Sequence, residues 1–425
     1  MSQHSVSGNL IGDSINATEQ CMMPISVDAS PDQWPAGVPA LAHVPGSAPA
    51  PTTLAELTTM AVGGPVGEYV EATSESELID AVRQADEAGR PLLVVGGGSN
   101  ILAADAGFDG LVLRDARQEV SLLADDRCGG VEISATAGTT WDDLVRQAVA
   151  CEWGGFETLS GIPGTVGAAP VQNIGAYGTE VAELLASVRV WDRSAGQAVQ
   201  LPLSRLQLSY RDSALKRSLT DPQVGEGWTW GPTGRWVVLS ATFSVRQASL
   251  SAPIAYSQLA QALGVSLGER VDSRAVREAV LELRRSKGMV LDPDDHDTWS
   301  AGSFFTNPVL TAQQAERLPP EAPRYPVTDH TKVVPGTVAA PVVDGLVKTS
   351  AAWLIEHAGF PKGFSLASGD AGQAPASLST KHVLALTNRG KARASDIAAL
   401  RDAVVAGVQQ AYGITLVPEP VHVGW

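Results

Sequence analysis

The sequence contains few cysteines, and those it has are scattered. Cys21, Cys128 and Cys151 are the only three in 425 residues, and no two of them form a CxxC pair. Such spacing argues against a disulfide framework or a zinc site and is typical of a reducing compartment. We therefore expect ordinary thiols, no metal centre and a cytoplasmic protein.

Positive charge and long apolar runs are also scarce. Lys and Arg number 30 against 46 Asp and Glu, which gives a formal net charge of −16. Nucleic acids and anionic membranes need a basic footprint, so neither is expected as a partner. No apolar run is long enough to cross a bilayer, and no basic segment precedes an apolar one near Met1, so a secretory signal is not expected.

What remains is typical of a globular protein with two or three domains. Hydrophobic residues make up 44% of the chain and charged residues 18%. Residues 1–50 are rich in Ser, Pro, Ala and Gly without periodicity, which predicts a mobile extension. The acidic surface does not exclude a small anionic ligand, because a local group of Arg and Lys can still bind phosphate or carboxylate.

Helices and strands alternate along the rest of the chain. Ser74 and Glu77 form a capping-box pattern before an amphipathic helix that Gly89 ends, and a buried strand over 92–95 follows. Further strands are predicted over 111–113, 131–137, 188–191 and 237–243, and further helices from Thr140 and over 272–283, 351–358 and 396–412. Ser395 is the expected N-cap of the last helix and Gly413 its end. The pattern predicts mixed α and β structure.

Two glycine-rich segments are candidate ligand loops. The first, 96–100, follows a strand, but it lacks the third glycine of a Rossmann fingerprint, and an ordinary turn is a strong alternative. The second, 162–178, has little charge and more small residues than a structural turn needs. Together the two loops suit an extended dinucleotide such as FAD.

Three polar residues are candidates for chemistry, each with a plain structural alternative. Arg211 is either a ligand-binding fork or one half of an Arg–Asp pair. Ser303 has no neighbouring histidine base and no GxSxG elbow, so it suits proton donation better than nucleophilic attack, with a buried turn as the alternative. Glu419 lies between two prolines, which either aim its carboxylate or leave it in an exposed tail. The acidic run 292–297 is interpreted as a solvated turn and not as a metal site.

Seven short motifs follow one another after residue 50. They are TTMAVGGP (58–65), GGGSN (96–100), IPGTVGAAPVQNIGAYG (162–178), YRDS (210–213), RRSK (284–287), AGSFFTNP (301–308) and the dipeptide PE (418–419). In this combination and order they resemble the UDP-N-acetylenolpyruvoylglucosamine reductase (MurB) family.

The resemblance implies an activity and an architecture. NADPH would reduce an enolpyruvyl ether of a sugar nucleotide through non-covalent FAD, within peptidoglycan precursor synthesis. The implied fold is α+β: a two-lobed FAD-binding domain of the PCMH or vanillyl-alcohol-oxidase type, over 51–116 and 117–288, and a C-terminal α+β substrate-binding domain over 289–425 whose last strand returns to the active site. A monomer is expected. Another FAD-dependent oxidase or dehydrogenase of this fold is the alternative, although neither glycine loop contains the histidine to which several such oxidases attach flavin.

The resemblance also implies roles for individual residues. The catalytic residues would be Arg211, Ser303 and Glu419. The substrate-binding residues would be Tyr177, Tyr256, Lys287 and Asn307. The cofactor-binding residues would be Gly96, Gly97, Gly98, Ser99, Asn100, Ile162, Pro163, Gly164, Gly167, Ala168, Val171, Gln172 and Val238. Val417 stands where family members often carry an acidic residue, so Glu419 would be the catalytic carboxylate, and segment 330–348 has no assigned role.

Overall fold

The fold was analysed in a computed structural model that describes residues 49–126, 130–328, 341–366 and 374–425. The expected mobile extension over 1–50 lies almost wholly outside these residues, as does most of the unassigned segment 330–348. In the described part of that segment, residues 342–348 form a strand.

A small parallel sheet with one helix opens the fold. Its elements are β1 (Val66–Ala72), α1 (Glu75–Glu87), β2 (Leu92–Val95) and β4 (Phe108–Asp115). Strand β3 (Ile101–Ala103) lies between β2 and β4 in the chain but outside this sheet. The strand order is β1-β4-β2. The Ser74 side chain accepts from the backbone N–H of Glu77, as predicted, while the Glu77 carboxylate accepts from the N–H of Thr73, one residue earlier than a capping box requires.

A larger antiparallel sheet with several helices follows. Its strands are β5 (Val120–Asp126), β6 (Gly130–Thr136), β7 (Trp153–Gly154), β10 (Leu185–Asp192), β11 (Gln197–Pro202) and β12 (Trp236–Gln247). Strands β8 (Gly175–Ala176) and β9 (Thr179–Glu180) form a separate two-stranded sheet. Its helices are α2 (Trp141–Ala150), α3 (Ala168–Gln172), α4 (Leu203–Leu206), α5 (Ala214–Arg217), α6 (Ser257–Leu263) and α7 (Ser273–Ser286). The main sheet has the order β11-β10-β12-β6-β5, with β7 beside β12.

The core under this sheet is built around three aromatic rings. Trp141, Phe156 and Phe243 are fully buried, and their ring centroids lie 5.3 to 6.1 Å apart in tilted or edge-on arrangements. Pairs of this kind each contribute about 0.5–1.5 kcal/mol beyond the area they bury. The loop over 162–168 leaves this core between α2 and α3, so its backbone starts and ends on rigid structure.

The last part of the chain forms a third group of elements. They are β13 (Val309–Thr311), α8 (Ala312–Glu316), β14 (Tyr325–Thr328), β15 (Val342–Lys348), α9 (Ala351–His357), β16 (Ala376–Leu378), β17 (Leu386–Asn388), α10 (Ala394–Tyr412) and β18 (Val421–Val423). One sheet has the order β13-β15-β14, and β16 and β17 form a hairpin. The final strand leaves this group and pairs in parallel with β3, Val421 opposite Ile101.

The start of α10 differs from the prediction. Its N-cap is Arg393 and not Ser395, because the Asp105 carboxylate accepts hydrogen bonds from the backbone N–H groups of Ala394 and Ser395 at 2.7 and 3.2 Å. A carboxylate supplied by another part of the chain thus satisfies the free amides of the first turn. Gly413 ends the helix in the left-handed region, as predicted.

The expectation of ordinary thiols is wrong for Cys151, which is disulfide-bonded. A disulfide requires two Cα atoms to approach within about 7 Å, and this depends on the folded chain and not on spacing in sequence. Over the ranges given above, no helix is both long and apolar enough to span a membrane.

Candidate active site

The two glycine loops are in direct contact. A Cβ added to Gly97 would lie 2.7 Å from the Cα of Gly164, which is closer than real Cβ atoms come. The Ser99 hydroxyl also donates to the carbonyl of Pro163 at 3.1 Å. The loops therefore form one continuous wall, and at Gly97 only a hydrogen atom fits between them.

This wall lines a cavity of about 360 Å³ that extends to Arg211, Ser303 and Glu419. All the residues predicted to bind the cofactor line it. They are Gly96, Gly97, Gly98, Ser99, Asn100, Ile162, Pro163, Gly164, Gly167, Ala168, Val171, Gln172 and Val238. Among the described residues of the cavity wall there is no histidine.

The wall has features that fit FAD. Backbone amides of two glycine-rich loops suit a pyrophosphate, because they present N–H groups without side chains in the way. Gln172 is 9% exposed, and its Nε2 has no hydrogen-bond partner within the described structure. A buried amide donor without a partner costs free energy unless a ligand accepts its hydrogen bond.

Arg211 is held by the second glycine-rich segment. Its Nη1 donates to the carbonyl of Asn173 at 3.2 Å, its Nη2 donates to the carbonyl of Gly175 at 2.8 Å, and its Nε lies 3.4 Å from Oε1 of Glu419. Its backbone is in the left-handed region, with φ of 55°. The guanidinium is thus fixed at the cavity before any ligand arrives. The alternative of a pair with Asp212 is excluded, since that carboxylate pairs with Arg217.

Glu419 is positioned through its backbone. Its N–H donates to the carbonyl of Phe304 at 2.8 Å, and the side-chain amide of Asn100 lies 3.4 Å from its carbonyl. The N–H of Val421 donates to the carbonyl of Asn100 at 2.9 Å, at the start of β18. Glu419 is therefore part of an ordered connection between the first glycine loop and the segment that carries Ser303, and not an exposed tail residue.

Ser303 has a histidine neighbour in space, which corrects the sequence analysis. Its Oγ lies 3.4 Å from Nε2 of His382, a residue 79 positions later in the chain. The N–H of Phe304 donates to the carbonyl of Leu384 at 2.8 Å, so the Ser303 segment is paired with the loop between β16 and β17. Burial, with the nearby charges of Lys287 and Lys362, lowers the pKa of His382 to about 4.

Three of the residues predicted to bind substrate lie together. The rings of Tyr177 and Tyr256 meet edge to face with centroids 5.6 Å apart, and Nζ of Lys287 lies 5.6 Å from the centre of the Tyr177 ring. Burial and the charge of Arg284 lower the pKa of Lys287. These side chains are not among the cavity-lining residues, although Gly288, next to Lys287, is one of them.

Asn307, the fourth of them, has a structural contact. Its Oδ1 accepts a hydrogen bond from the N–H of Ala351 at 3.0 Å, at the start of α9. Its own backbone N–H is hydrogen-bonded to the Tyr210 side chain, next to Arg211. The Asn307 side chain thus retains both N–H donors and one lone pair of Oδ1 for a ligand.

Two cations at the cavity were not assigned a role from the sequence. Arg284 donates to the carbonyls of Gly161 and Met289 at 3.0 and 2.9 Å, and burial lowers its pKa to about 10. Lys216 donates to the carbonyl of Arg211 at 3.1 Å, and burial, with the charge of Arg211, lowers its pKa. Arg284 belongs to the RRSK motif, which was the one available signal.

The acidic run before Ser303 is only partly a solvated turn. Asp297 is 4% exposed and accepts hydrogen bonds from Thr380 and Arg389, whereas Asp294 is exposed, as predicted. The described residues contain no group of three or more side chains suited to hold a metal ion. Asp297 instead ties the segment before Ser303 to the segment before His382.

Comparison with known proteins agrees with this arrangement. A domain family described as "FAD binding domain" matches residues 67–201, and one described as "UDP-N-acetylenolpyruvoylglucosamine reductase, C-terminal domain" matches residues 292–423. The crystal structure of the reductase (MurB) from Thermus caldophilus covers 87% of this chain and 97% of its own, with a TM-score of 0.53 and 23% identity, and thus shows the same fold.

Curated relatives extend the match over most of the chain. The UDP-N-acetylenolpyruvoylglucosamine reductase of Cutibacterium acnes is 48% identical over 371 residues, or 87% of this chain and 89% of that protein. The reductase of Nocardia farcinica is 50% identical over 372 residues, or 87% and 88%. The chain belongs to the UDP-N-acetylenolpyruvoylglucosamine reductase family.

Proposed function

We propose that this chain catalyses the NADPH-dependent reduction of UDP-N-acetylenolpyruvoylglucosamine to UDP-N-acetylmuramate, with non-covalent FAD. The observation that carries the proposal is one cavity with two kinds of wall. Two contacting glycine loops and the side chains of Arg211, Ser303 and Glu419 line the same cavity. The reaction would supply a peptidoglycan precursor and so contribute to cell-wall synthesis, cell shape and division.

The cofactor would be held by the glycine loops and by Gln172. When bound, FAD would carry a hydride from NADPH to the terminal carbon of the enolpyruvyl group. The unpartnered Nε2 of Gln172 gives the cofactor a specific donor, and the loops give it uncharged backbone at close range.

Arg211 and Glu419 would control the charge that the reduction creates. Addition of hydride to the terminal carbon of the substrate leaves negative charge on the adjacent carbon and its carboxylate. The Arg211 guanidinium is already oriented by two backbone carbonyls and by Glu419, so it can stabilise this charge without reorganising. A preorganised donor of this kind typically contributes about 10²–10³ in rate.

Ser303 would complete the reaction by protonating the α-carbon. The Ser303 O–H bond breaks as the C–H bond forms, and the Oγ then recovers a proton from water. A serine hydroxyl is a weak acid, so its contribution depends on position and on the strong basicity of the carbanion-like substrate. General acids in such positions contribute about 10²–10⁴ in rate.

Tyr177, Tyr256 and Lys287 would bind the sugar nucleotide. The ammonium group of Lys287 suits a diphosphate as a point charge, and the two tyrosine rings beside it offer apolar surface and hydroxyl groups. Asn307 would contribute its NH₂ group, while its oxygen accepts from the N–H of Ala351 at the start of α9.

The proposal includes a division of the chain at about residues 116 and 288. Strands β1, β2 and β4 pair with one another, as do β5, β6, β7, β10, β11 and β12, and among the described strands the pair β3–β18 is the one that crosses these limits. A monomeric state and a cytoplasmic location complete the proposal. Elution at the 44.2 kDa of one chain, and recovery in the cytoplasmic fraction, would support them.

The visible spectrum of the purified protein tests the activity. We expect a flavin band nearly stoichiometric with protein, released by acid, bleached by NADPH and restored anaerobically by the enolpyruvyl sugar nucleotide. A flavin that stays with the acid-precipitated protein, together with oxygen consumption on a hydroxy acid, would favour an oxidase of this fold. A reduced band that the sugar nucleotide does not restore would refute the proposed reaction.

A further inference from the structure

His382 contacts Ser303, and the proposed reaction assigns this histidine no role. Its imidazole is half-buried, and its Nε2 is 3.4 Å from the Ser303 Oγ. Hydrogen bonds of catalytic groups are often this long before a ligand binds, and shorten in the complex. A histidine at this position can affect how Ser303 donates its proton.

The backbone fixes the position of His382 relative to Ser303. The Ser379 hydroxyl oxygen accepts from the N–H groups of Lys381 and His382 at 3.0 and 3.2 Å, which shapes the turn after β16. The bond from the N–H of Phe304 to the carbonyl of Leu384 then joins this turn to the serine segment. The two side chains thus meet because their backbones are paired, and not through a chance rotamer.

The imidazole is uncharged at neutral pH. Burial is the main reason that its pKa is lowered to about 4, and the positive charges of Lys287 and Lys362 act in the same direction. A neutral imidazole has one N–H donor and one lone-pair acceptor. It therefore affects Ser303 through the direction of one hydrogen bond and not through a charge.

Only one direction of this hydrogen bond leaves Ser303 able to donate its proton. If Nε2 accepted, the serine hydrogen would point at the imidazole and away from the cavity. If Nε2–H donates to Oγ, the serine hydrogen is free to point at a ligand, and the same N–H stabilises the oxygen once the proton has left.

We propose that His382 is a positioning residue for the proton donor: its Nε2–H donates to the Ser303 Oγ, directs the hydroxyl hydrogen into the cavity and stabilises the oxygen after proton transfer. The inference rests on the proposed function, because it assumes that Ser303 protonates the substrate. The step needs no further reagent, because water replaces the proton that Ser303 transfers to the substrate.

A pair of substitutions separates this role from simple packing. In His382→Gln the amide NH₂ can take the place of Nε2–H, whereas in His382→Leu a side chain of similar bulk has no donor. We expect the reoxidation of the reduced enzyme by the enolpyruvyl sugar nucleotide to slow roughly 10- to 100-fold in H382L, as for the loss of a hydrogen bond to a charged group. H382Q should retain most of the rate, and flavin reduction by NADPH should be unchanged in both.

Two further readouts make the test specific. The solvent isotope effect on reoxidation should rise in H382L, because proton transfer becomes slower relative to the other steps. In a Ser303→Ala background, H382L should cause no additional loss, since its effect passes through the serine. His357→Gln, at an exposed histidine that stacks on Trp353, is the matched control and should change nothing.

The failures of the two proposals are distinguishable. If Ser303→Ala itself leaves turnover intact, the proton-donor role of Ser303 is wrong. Two results would contradict the positioning role once Ser303→Ala has been shown to abolish turnover. One is that H382L slows the reaction equally with and without Ser303, and the other is that H382Q is as slow as H382L. Should H382L not retain flavin, His382→Asn takes its place, because its shorter amide cannot reach the serine.

Discussion

The two walls of the cavity are built in opposite ways. The glycine-loop wall consists of two contiguous segments and acts through backbone. The side-chain wall consists of Arg211, Ser303 and Glu419, with His382 beside Ser303 but outside the cavity lining. The first depends on what the loops lack, namely side chains. The second depends on contacts between distant segments. Cofactor binding and chemistry should therefore fail separately when each wall is altered.

The largest expected effect comes from removing the proton donor. Ser303→Ala should lower the rate of substrate reduction by about 10²–10⁴, because the variant lacks the hydroxyl proposed to protonate the α-carbon. Flavin content and reduction by NADPH should persist, as the glycine-loop wall is untouched. Stopped-flow measurement of the two half-reactions checks this, with Ser121→Ala on the exposed side of β5 as the control. An unimpaired steady-state rate would remove Ser303 from the mechanism.

The next largest effect comes from replacing the planar guanidinium of Arg211 with an ammonium group of the same charge. Arg211→Lys should cost about 10²–10³ in kcat, because an ammonium group cannot bond two carbonyls and Glu419 in one plane. Flavin affinity should stay within a few-fold, by the same separation of walls. Arg205→Lys, at an exposed arginine, is the matched control. An R211K enzyme with nearly normal kcat would show that charge alone suffices.

A substitution in the glycine-loop wall should lower FAD affinity more than it lowers the rate of the chemical step. Gly97→Ala forces the two loops apart, and overpacking of this kind costs about 1–3 kcal/mol, equivalent to roughly 5- to 150-fold in FAD affinity. Flavin titration of the apoprotein measures it. Gly154→Ala, where an added Cβ would meet nothing nearer than 3.6 Å, should bind FAD normally. Equal losses in both variants would indicate general destabilisation.

The smallest effect concerns the support between the Ser303 and His382 segments. Burial alone would raise the pKa of Asp297, but hydrogen bonds from Thr380 and the charge of Arg389 outweigh it and hold the pKa below its usual 3.8. Asp297→Asn should cost about 1.5–3 kcal/mol of unfolding free energy at pH 7.

The sign of the pH dependence follows from that depressed pKa. The contribution of Asp297 is present above the pKa of the unfolded chain and is lost as the pH falls through the lower folded value. Melting curves of the wild type and the variant should therefore converge below about pH 4. Asp294→Asn, at an exposed carboxylate, should leave the melting temperature unchanged at every pH.

The sequence predicts the glycine-loop wall far better than the side-chain wall. Both loops are visible as runs of small residues, and the helix after Ser74 as a capping pattern, because these signals lie within a few positions of one another. The sequence does not predict the N-cap of α10, because the carboxylate that accepts from the first-turn amides belongs to Asp105, 289 residues earlier. His382 was missed for the same reason, since no local pattern links it to Ser303.

The pairing of β18 with β3 has a consequence for how the enzyme is made. Both glycine loops, Arg211 and Ser303 leave the ribosome before Glu419 does, and β3 lacks its partner until residues 421–423 follow. A chain terminated before that point would keep the loops, lack the Glu419 carboxylate and expose an unpaired strand edge. Premature termination would thus yield products that compete for flavin without turning over, and that quality control could recognise by their open edge.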